Sequence, residues 1–178
     1  MKIFVVSGFL GAGKTTFIRE LARRTHRDFA VMENEYGEVG IDGAVLSEES
    51  PLNIWEMTEG CICCSMKADF ASSILTIANT LDPEYLVVEP TGVGLLSKVL
   101  ENIRQIEYER ISLLSPITLL DGTSFQRYLR EFPEIYRDQI AAAGTIAITK
   151  MEHADGEELA RLERELRALN PHGEILAS

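Results

Sequence analysis

The segment at residues 8–15, Gly-Phe-Leu-Gly-Ala-Gly-Lys-Thr, constrains this chain most, because it fits the pattern G-x-x-x-x-G-K-[ST] without a gap. Before it, residues 2–7 form a short apolar, β-branched segment that is typical of a buried parallel strand. After it, apolar residues at positions 17, 18, 21 and 22 recur at helical spacing. A strand, a glycine-rich loop and a helix are the context in which this pattern forms a phosphate-binding loop.

Such a loop binds polyphosphates through its backbone. Glycines let successive N–H groups turn inward around the phosphates, and the N-terminus of the following helix adds its dipole. Lys14 is placed to reach the β- and γ-phosphates, and Thr15 can offer its hydroxyl to Mg²⁺. The motif therefore predicts that the chain binds a nucleoside triphosphate.

Composition narrows the setting of this site. A length of 178 residues indicates a single domain spanning residues 1–178 with a sizeable core. The formal net charge of −11 disfavours nucleic acid as the main partner. No apolar run reaches membrane-spanning length, and no cleavable signal segment precedes the first strand. The three cysteines are an odd number and lie close together, which suits a reducing cytoplasm better than a disulfide framework.

The rest of the chain alternates strands with helices. Short apolar or alternating segments predict further strands at 29–32, 52–57, 85–88, 117–120 and 145–148, and a closing strand at 175–176. A helix is predicted over 66–81, with an apolar stripe of Phe70, Ile74, Ile77, Ala78 and Leu81. Asp155 opens a last helix, with Glu158 completing a capping box and Leu159, Leu162, Leu166 and Leu169 as its buried stripe. This order predicts an α/β fold of three layers, a doubly wound, mostly parallel sheet with helices on both faces.

A second chemical signal is the cysteine cluster Cys61, Cys63 and Cys64, next to Gly60. Three thiols this close invite a soft or borderline cation such as Zn²⁺. Adjacent cysteines seldom both turn toward one ion, so a tetrahedral site needs a ligand from elsewhere or keeps an open position. An open position suits metal transfer better than a structural role. The alternative is that the cysteines are small buried hydrophobic side chains.

Taken with the Glu-Asn-Glu-Tyr-Gly-Glu segment at 33–38, these two motifs resemble those of the CobW-like metallochaperone GTPases, relatives of the GTPases that insert nickel into hydrogenase and urease. The order and spacing of the motifs match over nearly the whole chain. The resemblance implies a phosphate-loop fold, Mg²⁺-dependent GTP hydrolysis, and binding of Zn²⁺ or a similar transition metal through the cysteines. It also implies that GTP state and metal occupancy are coupled, so that metal passes to a client metalloprotein.

The same resemblance assigns roles to individual residues. The phosphates would be held by Gly8, Gly11, Ala12, Gly13, Lys14, Thr15 and Thr16. Glu89 stands where the family's second acidic motif, E-x-x-G, places its Mg²⁺-associated carboxylate, and the Gly92 N–H would face the γ-phosphate. Lys14 and Glu89 would thus carry much of the catalysis. The sequence offers no evident arginine to stabilise the transition state, so slow turnover is expected.

The segment at 33–42 matches the first switch loop of that family. Glu33 and Glu38 are candidate supplementary ligands for the transition metal, and Glu35 is a candidate for positioning the attacking water. If γ-phosphate and Mg²⁺ order this loop, its ligands move relative to the thiolates, which would couple the two sites. The cysteine face could also join two copies through a shared metal ion or GTP.

Two features depart from the family pattern. Guanine readers usually carry [NT]-K-x-D, whereas this chain has Thr149, Lys150 and then Glu152 in place of aspartate. Glutamate can accept the same two guanine hydrogen bonds if the backbone shifts, so GTP stays favoured over ATP. Asp155 is a nearby substitute that is better placed as a helix cap. The larger members also have a C-terminal domain, so this chain is either a stand-alone GTPase module or part of something longer.

Two other classes of function remain open from the residues alone. One is a phosphate-loop ATPase or small-molecule kinase in which the cysteines are structural. The other is a non-catalytic metal-binding protein that uses nucleotide as a conformational ligand. The segment at 33–38 and the cysteine cluster disfavour the kinase, since phosphorylation of a metabolite needs neither.

Overall fold

A computed structural model describes residues 1–25, 27–33, 53–56 and 67–177. The strands are β1 (Lys2–Gly8), β2 (Phe29–Glu33), β3 (Asn53–Glu56), β4 (Tyr85–Glu89), β5 (Ser112–Leu113), β6 (Ile117–Asp121), β7 (Thr145–Thr149) and β8 (Glu174–Ala177). The helices are α1 (Lys14–Thr25), α2 (Lys67–Thr80), α3 (Leu96–Arg104), α4 (Phe125–Glu131), α5 (Pro133–Ala141) and α6 (Gly156–Leu169), with a 3₁₀ turn at Gly122–Ser124.

The strands form one sheet in the order β3-β2-β4-β1-β6-β7-β8, and its strand pairs are parallel. The edge of β1 that faces β6 is shared, because β5 pairs with Lys2 and Ile3 while β6 pairs with residues 6–8. The predicted doubly wound parallel sheet is confirmed. Since β1 lies between β4 and β6, the loop that follows β1 lies between the carboxyl ends of those two strands, where open α/β sheets bind their ligands.

Helices pack on both faces of the sheet. Successive residues of β1 point to opposite faces, so Val5 packs into an apolar cluster with α2 and α3 while Val6 packs into a cluster with α1. A third cluster joins β6 and β7 to α4, α5 and α6. Within the described ranges, no helix is long and apolar enough to serve as a membrane span.

The predicted elements are found within one or two residues of their expected bounds. The prediction that Leu81 belongs to the apolar stripe of α2 is wrong. Helix α2 ends at Thr80, and Leu81 lies in the following turn, where it is 39% exposed. Asp82 there takes a positive φ of 44°, which turns the chain away from the helix. Asp155 caps α6 as expected, accepting from the N–H groups of Glu157 and Glu158.

Candidate nucleotide-binding site

The loop between β1 and α1 has the backbone of a phosphate cradle. Gly8, Gly11 and Gly13 take positive φ values of 146°, 74° and 97°. At Gly8 a Cβ atom would lie 2.5 Å from the carbonyl oxygen of Leu119 on the neighbouring strand, so a larger residue does not fit. Gly11 has open space around it, and its requirement for glycine comes from its left-handed backbone. The loop is then continuous with α1, where the Phe17 N–H donates to the Gly13 carbonyl at 2.9 Å.

Lys14 and Glu89 meet at the base of this loop. The Lys14 ammonium lies 3.8 Å from the nearer carboxylate oxygen of Glu89, and the two side chains are 9% and 12% exposed. They come together because β1 and β4 are adjacent and parallel, so that the start of α1 lies beside the end of β4. Thr15 and Thr16 follow in the first turn of α1, Thr15 half-buried and Thr16 exposed. These are the positions from which a lysine, a hydroxyl and a carboxylate can share the phosphates and a Mg²⁺ ion.

Gly92 packs against the phosphate-binding loop from the other side. A Cβ atom on Gly92 would lie 2.8 Å from Cδ2 of Leu10 and 3.0 Å from its backbone nitrogen. The segment after Glu89 therefore approaches the backbone of the loop so closely at Gly92 that a larger residue there would clash with Leu10. The backbone of Gly92 thus lies directly against the phosphate-binding loop.

The Thr-Lys-x-Glu segment also meets the phosphate-binding loop. Thr149, at the end of β7, donates its hydroxyl to the carbonyl oxygen of Ala12 at 3.1 Å and to that of Leu120 at 3.3 Å. Lys150 follows with a positive φ of 61°, and Glu152 lies exposed in the next turn. Asp155 is occupied as the cap of α6, so Glu152 is the carboxylate of this segment that is left for a base.

Asp121, at the end of β6, is a buried carboxylate beside the Thr-Lys-x-Glu segment that no sequence motif indicated. It is 7% exposed and accepts hydrogen bonds from the Thr123 N–H at 3.0 Å and from the Lys150 ammonium at 3.0 Å. Burial alone would raise the pKa of this carboxyl, but the hydrogen bonds from Thr123 and Lys150, with the charge of Lys150, hold it below its usual value. The signal was an acidic residue directly after an apolar strand and before a glycine.

The comparisons with known proteins agree with this arrangement. The family model of the nucleotide-binding domain of CobW/HypB/UreG matches residues 2–177. This chain belongs to that family. Among curated relatives, it is 35% identical to the zinc chaperone YeiR of Escherichia coli (strain K12) over 90% of this chain and 49% of that protein.

Other members of the family are similar to a lesser degree. The zinc chaperone YjiA of the same organism is 29% identical over 97% of this chain and 56% of its own length. A crystal structure of Zn(II)-bound YjiA GTPase superimposes with a TM-score of 0.72 at 25% identity, covering 98% of this chain and 56% of that one. The present chain spans about half the length of the curated relatives that it matches.

Of the candidate ligands for a transition metal, the structure describes Glu33. Glu33, at the end of β2, is 8% exposed and pairs in register with Glu89 on β4 and with Glu56 on β3. Glu33 thus lies beside the carboxylate expected to serve Mg²⁺. Glu35, Glu38, Cys61, Cys63 and Cys64 lie outside the described residues. Among the described residues, no three His, Cys, Asp or Glu side chains are grouped so as to hold a metal ion.

Proposed function

We propose that this chain is the Mg²⁺-dependent GTP-binding and GTP-hydrolysing domain of a metallochaperone that binds Zn²⁺ or a similar metal and passes it to a client metalloprotein. The observation that carries the nucleotide half is the 3.8 Å approach of Lys14 to Glu89 under a glycine-rich loop. The metal half is supported by the cysteine cluster and by relatives named zinc chaperones, YeiR and YjiA.

In this proposal, the phosphates are bound by the N-terminus of α1 and by the loop of Gly8, Gly11, Ala12 and Gly13, whose backbone turns around them. Lys14 exchanges its contact with Glu89 for the β- and γ-phosphates, and Glu89 holds Mg²⁺ directly or through a water molecule. Thr15 and Thr16 complete the cradle, Thr15 as the hydroxyl ligand of Mg²⁺.

Guanine is the base that we assign to the segment of Thr149, Lys150 and Glu152. The contact of Thr149 with the Ala12 carbonyl ties this segment to the phosphate-binding loop, so a bound base and its phosphates are held by one connected unit. Glu152 is exposed, and its carboxylate is the group that we assign to the two N–H donors of guanine. A Glu152→Gln change would remove that charge, and GTP would lose its advantage over ATP in competition for a fluorescent nucleotide.

The metal ligands that we propose are Cys61, Cys63 and Cys64, with Glu33 or Glu38 as a supplementary carboxylate. Glu33 supports the coupling of the two sites, because its strand β2 is hydrogen-bonded to β4 at the level of Glu89. A change at Glu89, the proposed Mg²⁺ carboxylate at the end of β4, therefore occurs beside Glu33, the first residue of the proposed switch loop. Glu35, two residues further on, is proposed to position the attacking water, and turnover without a partner is expected to be slow.

The test of this proposal is Zn²⁺ affinity, measured by competition with a chromophoric chelator in the presence of GTP–Mg²⁺, GDP–Mg²⁺ or no nucleotide. We expect the affinity to depend on the nucleotide and to collapse in a variant with Cys61, Cys63 and Cys64 changed to serine. A matched control replaces the exposed His153 and His172 by alanine, which should leave Zn²⁺ affinity unchanged. Equal Zn²⁺ affinity in all nucleotide states, or in the cysteine variant, would contradict the proposed function.

A parallel assay of phosphate release distinguishes a GTPase from a small-molecule kinase and from a non-catalytic metal-binding protein. Release of phosphate from GTP with no phosphorylated acceptor is the expected result, and a phosphorylated small molecule would favour a kinase. Turnover equal to background, with and without Zn²⁺, would favour a non-catalytic nucleotide-gated protein.

A further inference from the structure

Gln139 is a buried polar residue outside the loop and the carboxylate that form the candidate nucleotide site. It lies on α5 and is 1% exposed. Its amide nitrogen donates to the carbonyl oxygens of Gly92 and Gly94, each at 3.0 Å. Both hydrogens of the NH₂ group are therefore directed at one short segment of backbone. The reversed amide would point an oxygen at two carbonyl oxygens, so these partners also fix the orientation of the group.

The segment that Gln139 holds is a closed turn. The Gly94 N–H donates to the Thr91 carbonyl at 2.9 Å, which closes residues 91–94 into a four-residue turn. The Thr91 carbonyl and the Gly92 N–H belong to the same planar peptide unit. Whatever fixes this turn therefore also fixes the direction of the Gly92 N–H.

Helix α5 holds this region at a second point and is itself anchored to the sheet. Asp138, next to Gln139, accepts a hydrogen bond from the Ser97 N–H in the first turn of α3 at 3.0 Å. The Gln139 carbonyl accepts from the buried hydroxyl of Thr118 on β6 at 2.9 Å. Tyr136, one turn earlier on α5, packs edge-on against Phe9 of the phosphate-binding loop, with ring centroids 5.8 Å apart. The same helix thus contacts both sides of the phosphate site.

Packing alone does not account for a glutamine at this position. Its amide oxygen is buried and has no hydrogen-bond partner among the described residues. A buried acceptor in that state is unfavourable compared with an apolar side chain of the same length. The two donated hydrogen bonds to the turn are what the glutamine supplies and an apolar residue would not.

We propose that Gln139 is a positioning residue for the γ-phosphate, acting through the 91–94 turn. By clamping the Gly92 and Gly94 carbonyls it holds the Gly92 N–H against the phosphate-binding loop, so that the triphosphate meets a donor already in place. This inference rests on the proposed function, in which the Gly92 N–H binds the γ-phosphate. Because GDP lacks that phosphate, Gln139 contributes to the binding of GTP and not to that of GDP.

The experiment compares affinities for GDP–Mg²⁺ and for a non-hydrolysable GTP analogue with Mg²⁺, using competition with a fluorescent nucleotide. Gln139→Met keeps the length of the side chain and removes both donors. We expect its ratio of GTP-analogue affinity to GDP affinity to fall about tenfold, with GDP affinity unchanged. Gln139→Glu, which turns a carboxylate toward the two carbonyls, should lower the ratio at least as far.

Thr118→Val is the matched control, because it removes a buried hydrogen bond to Gln139 without touching the 91–94 turn. It should lower the temperature of thermal unfolding and leave the affinity ratio within about twofold of the parent. An unchanged ratio in both Gln139 variants, or an equal fall in Thr118→Val, would overturn the role of Gln139. A parent protein that binds neither nucleotide would instead overturn the proposed function, and this inference with it.

Discussion

The Lys14 ammonium lies 3.8 Å from the Glu89 carboxylate, and both groups are largely shielded from water. Neither the phosphate-binding motif nor the E-x-x-G motif predicts this contact by itself, because the contact depends on β1 and β4 being neighbours in the sheet. The pair joins the end of β4 to the phosphate-binding loop. A triphosphate and Mg²⁺ would each take one member of the pair as a partner, lysine for the phosphates and glutamate for the metal.

Replacing Lys14 by alanine should weaken binding of GTP–Mg²⁺ by roughly 30-fold or more, since a charge-assisted contact to phosphate is worth about 2 kcal/mol. Hydrolysis should fall at least as far, because the same ammonium faces the charge that develops in the transition state. Lys98→Ala is the control, as Lys98 is a surface residue paired with Glu101 on α3. Lys14→Ala protein that hydrolysed GTP at the parental rate would rule out this use of the loop.

Two glycines of the phosphate-binding loop should differ in their effect on stability. Gly8→Ala places a Cβ atom 2.5 Å from the Leu119 carbonyl oxygen and should cost about 3 kcal/mol or more of unfolding free energy. Gly11→Ala meets no atom within 4 Å and carries only the strain of its φ of 74°, so about 1–2 kcal/mol is expected. Chemical denaturation measures both.

Gly156→Ala serves as the reference for that comparison. Gly156 begins α6, and an added Cβ atom there meets nothing within 4 Å. The free energy of unfolding of this variant should rise by about 0.5 kcal/mol, because alanine loses less chain entropy than glycine on folding. We expect Gly156→Ala to be the most stable of the three variants, Gly11→Ala to be intermediate and Gly8→Ala to be the least stable. A Gly8→Ala protein as stable as the parent would contradict the close approach to Leu119.

Sequence patterns located every described strand except β5, and helices α1, α2 and α6, because their apolar periodicity is local. Strand β5 and helix α3 were not predicted. The stretch from 125 to 141 escaped prediction as helix, since α4 has seven residues and α5 nine, with a break at Phe132 before Pro133. Phe132 takes a backbone conformation of φ −132° and ψ 54°, outside the helical region. Short helices of this kind are stabilised by their aromatic contacts with Phe9, which lies far away in sequence.

Lys14 and Glu89 could be selected as candidates from their motifs, and the fold brings them within 3.8 Å of each other. Asp121 and Gln139 follow from the order of the strands instead. Asp121 meets Lys150 because β6 and β7 are paired, and Gln139 reaches Gly92 across 47 residues of chain. Neither residue belongs to a recognisable motif, so their partners become visible only in the folded chain.

Asp121→Asn should reveal a carboxylate that stabilises the fold at neutral pH. The hydrogen bonds and charge that lower the Asp121 pKa in the folded chain stabilise the ionised form. That contribution is fully present above the unfolded pKa, near pH 4, and is lost as the pH falls through the folded value. Urea unfolding should therefore show the parent more stable than the variant by about 1–2 kcal/mol at pH 7, with the difference shrinking below about pH 4.

The control for this pH series is Asp82→Asn. Asp82 is an exposed aspartate paired with Arg110, both 57% exposed, and asparagine tolerates its positive φ. Its effect should stay within about 0.5 kcal/mol at every pH. A constant difference for Asp121→Asn from pH 7 to pH 3 would mean that the charge of Asp121 contributes nothing to stability.

Thr149 allows the link between the base segment and the phosphate-binding loop to be tested with an isosteric pair. Thr149→Val keeps the shape of the side chain and removes the hydroxyl that donates to the Ala12 carbonyl at 3.1 Å, whereas Thr149→Ser keeps the donor. Ala12 is buried, and its neighbours are the residues proposed to bind phosphate. Loss of this donor should therefore loosen the loop and weaken the binding of both GDP and GTP about fivefold, or about 1 kcal/mol. The serine variant should bind both nucleotides like the parent. If valine and serine behave alike in a nucleotide titration, the hydroxyl does not position the loop, and the contact serves only packing at the end of β7.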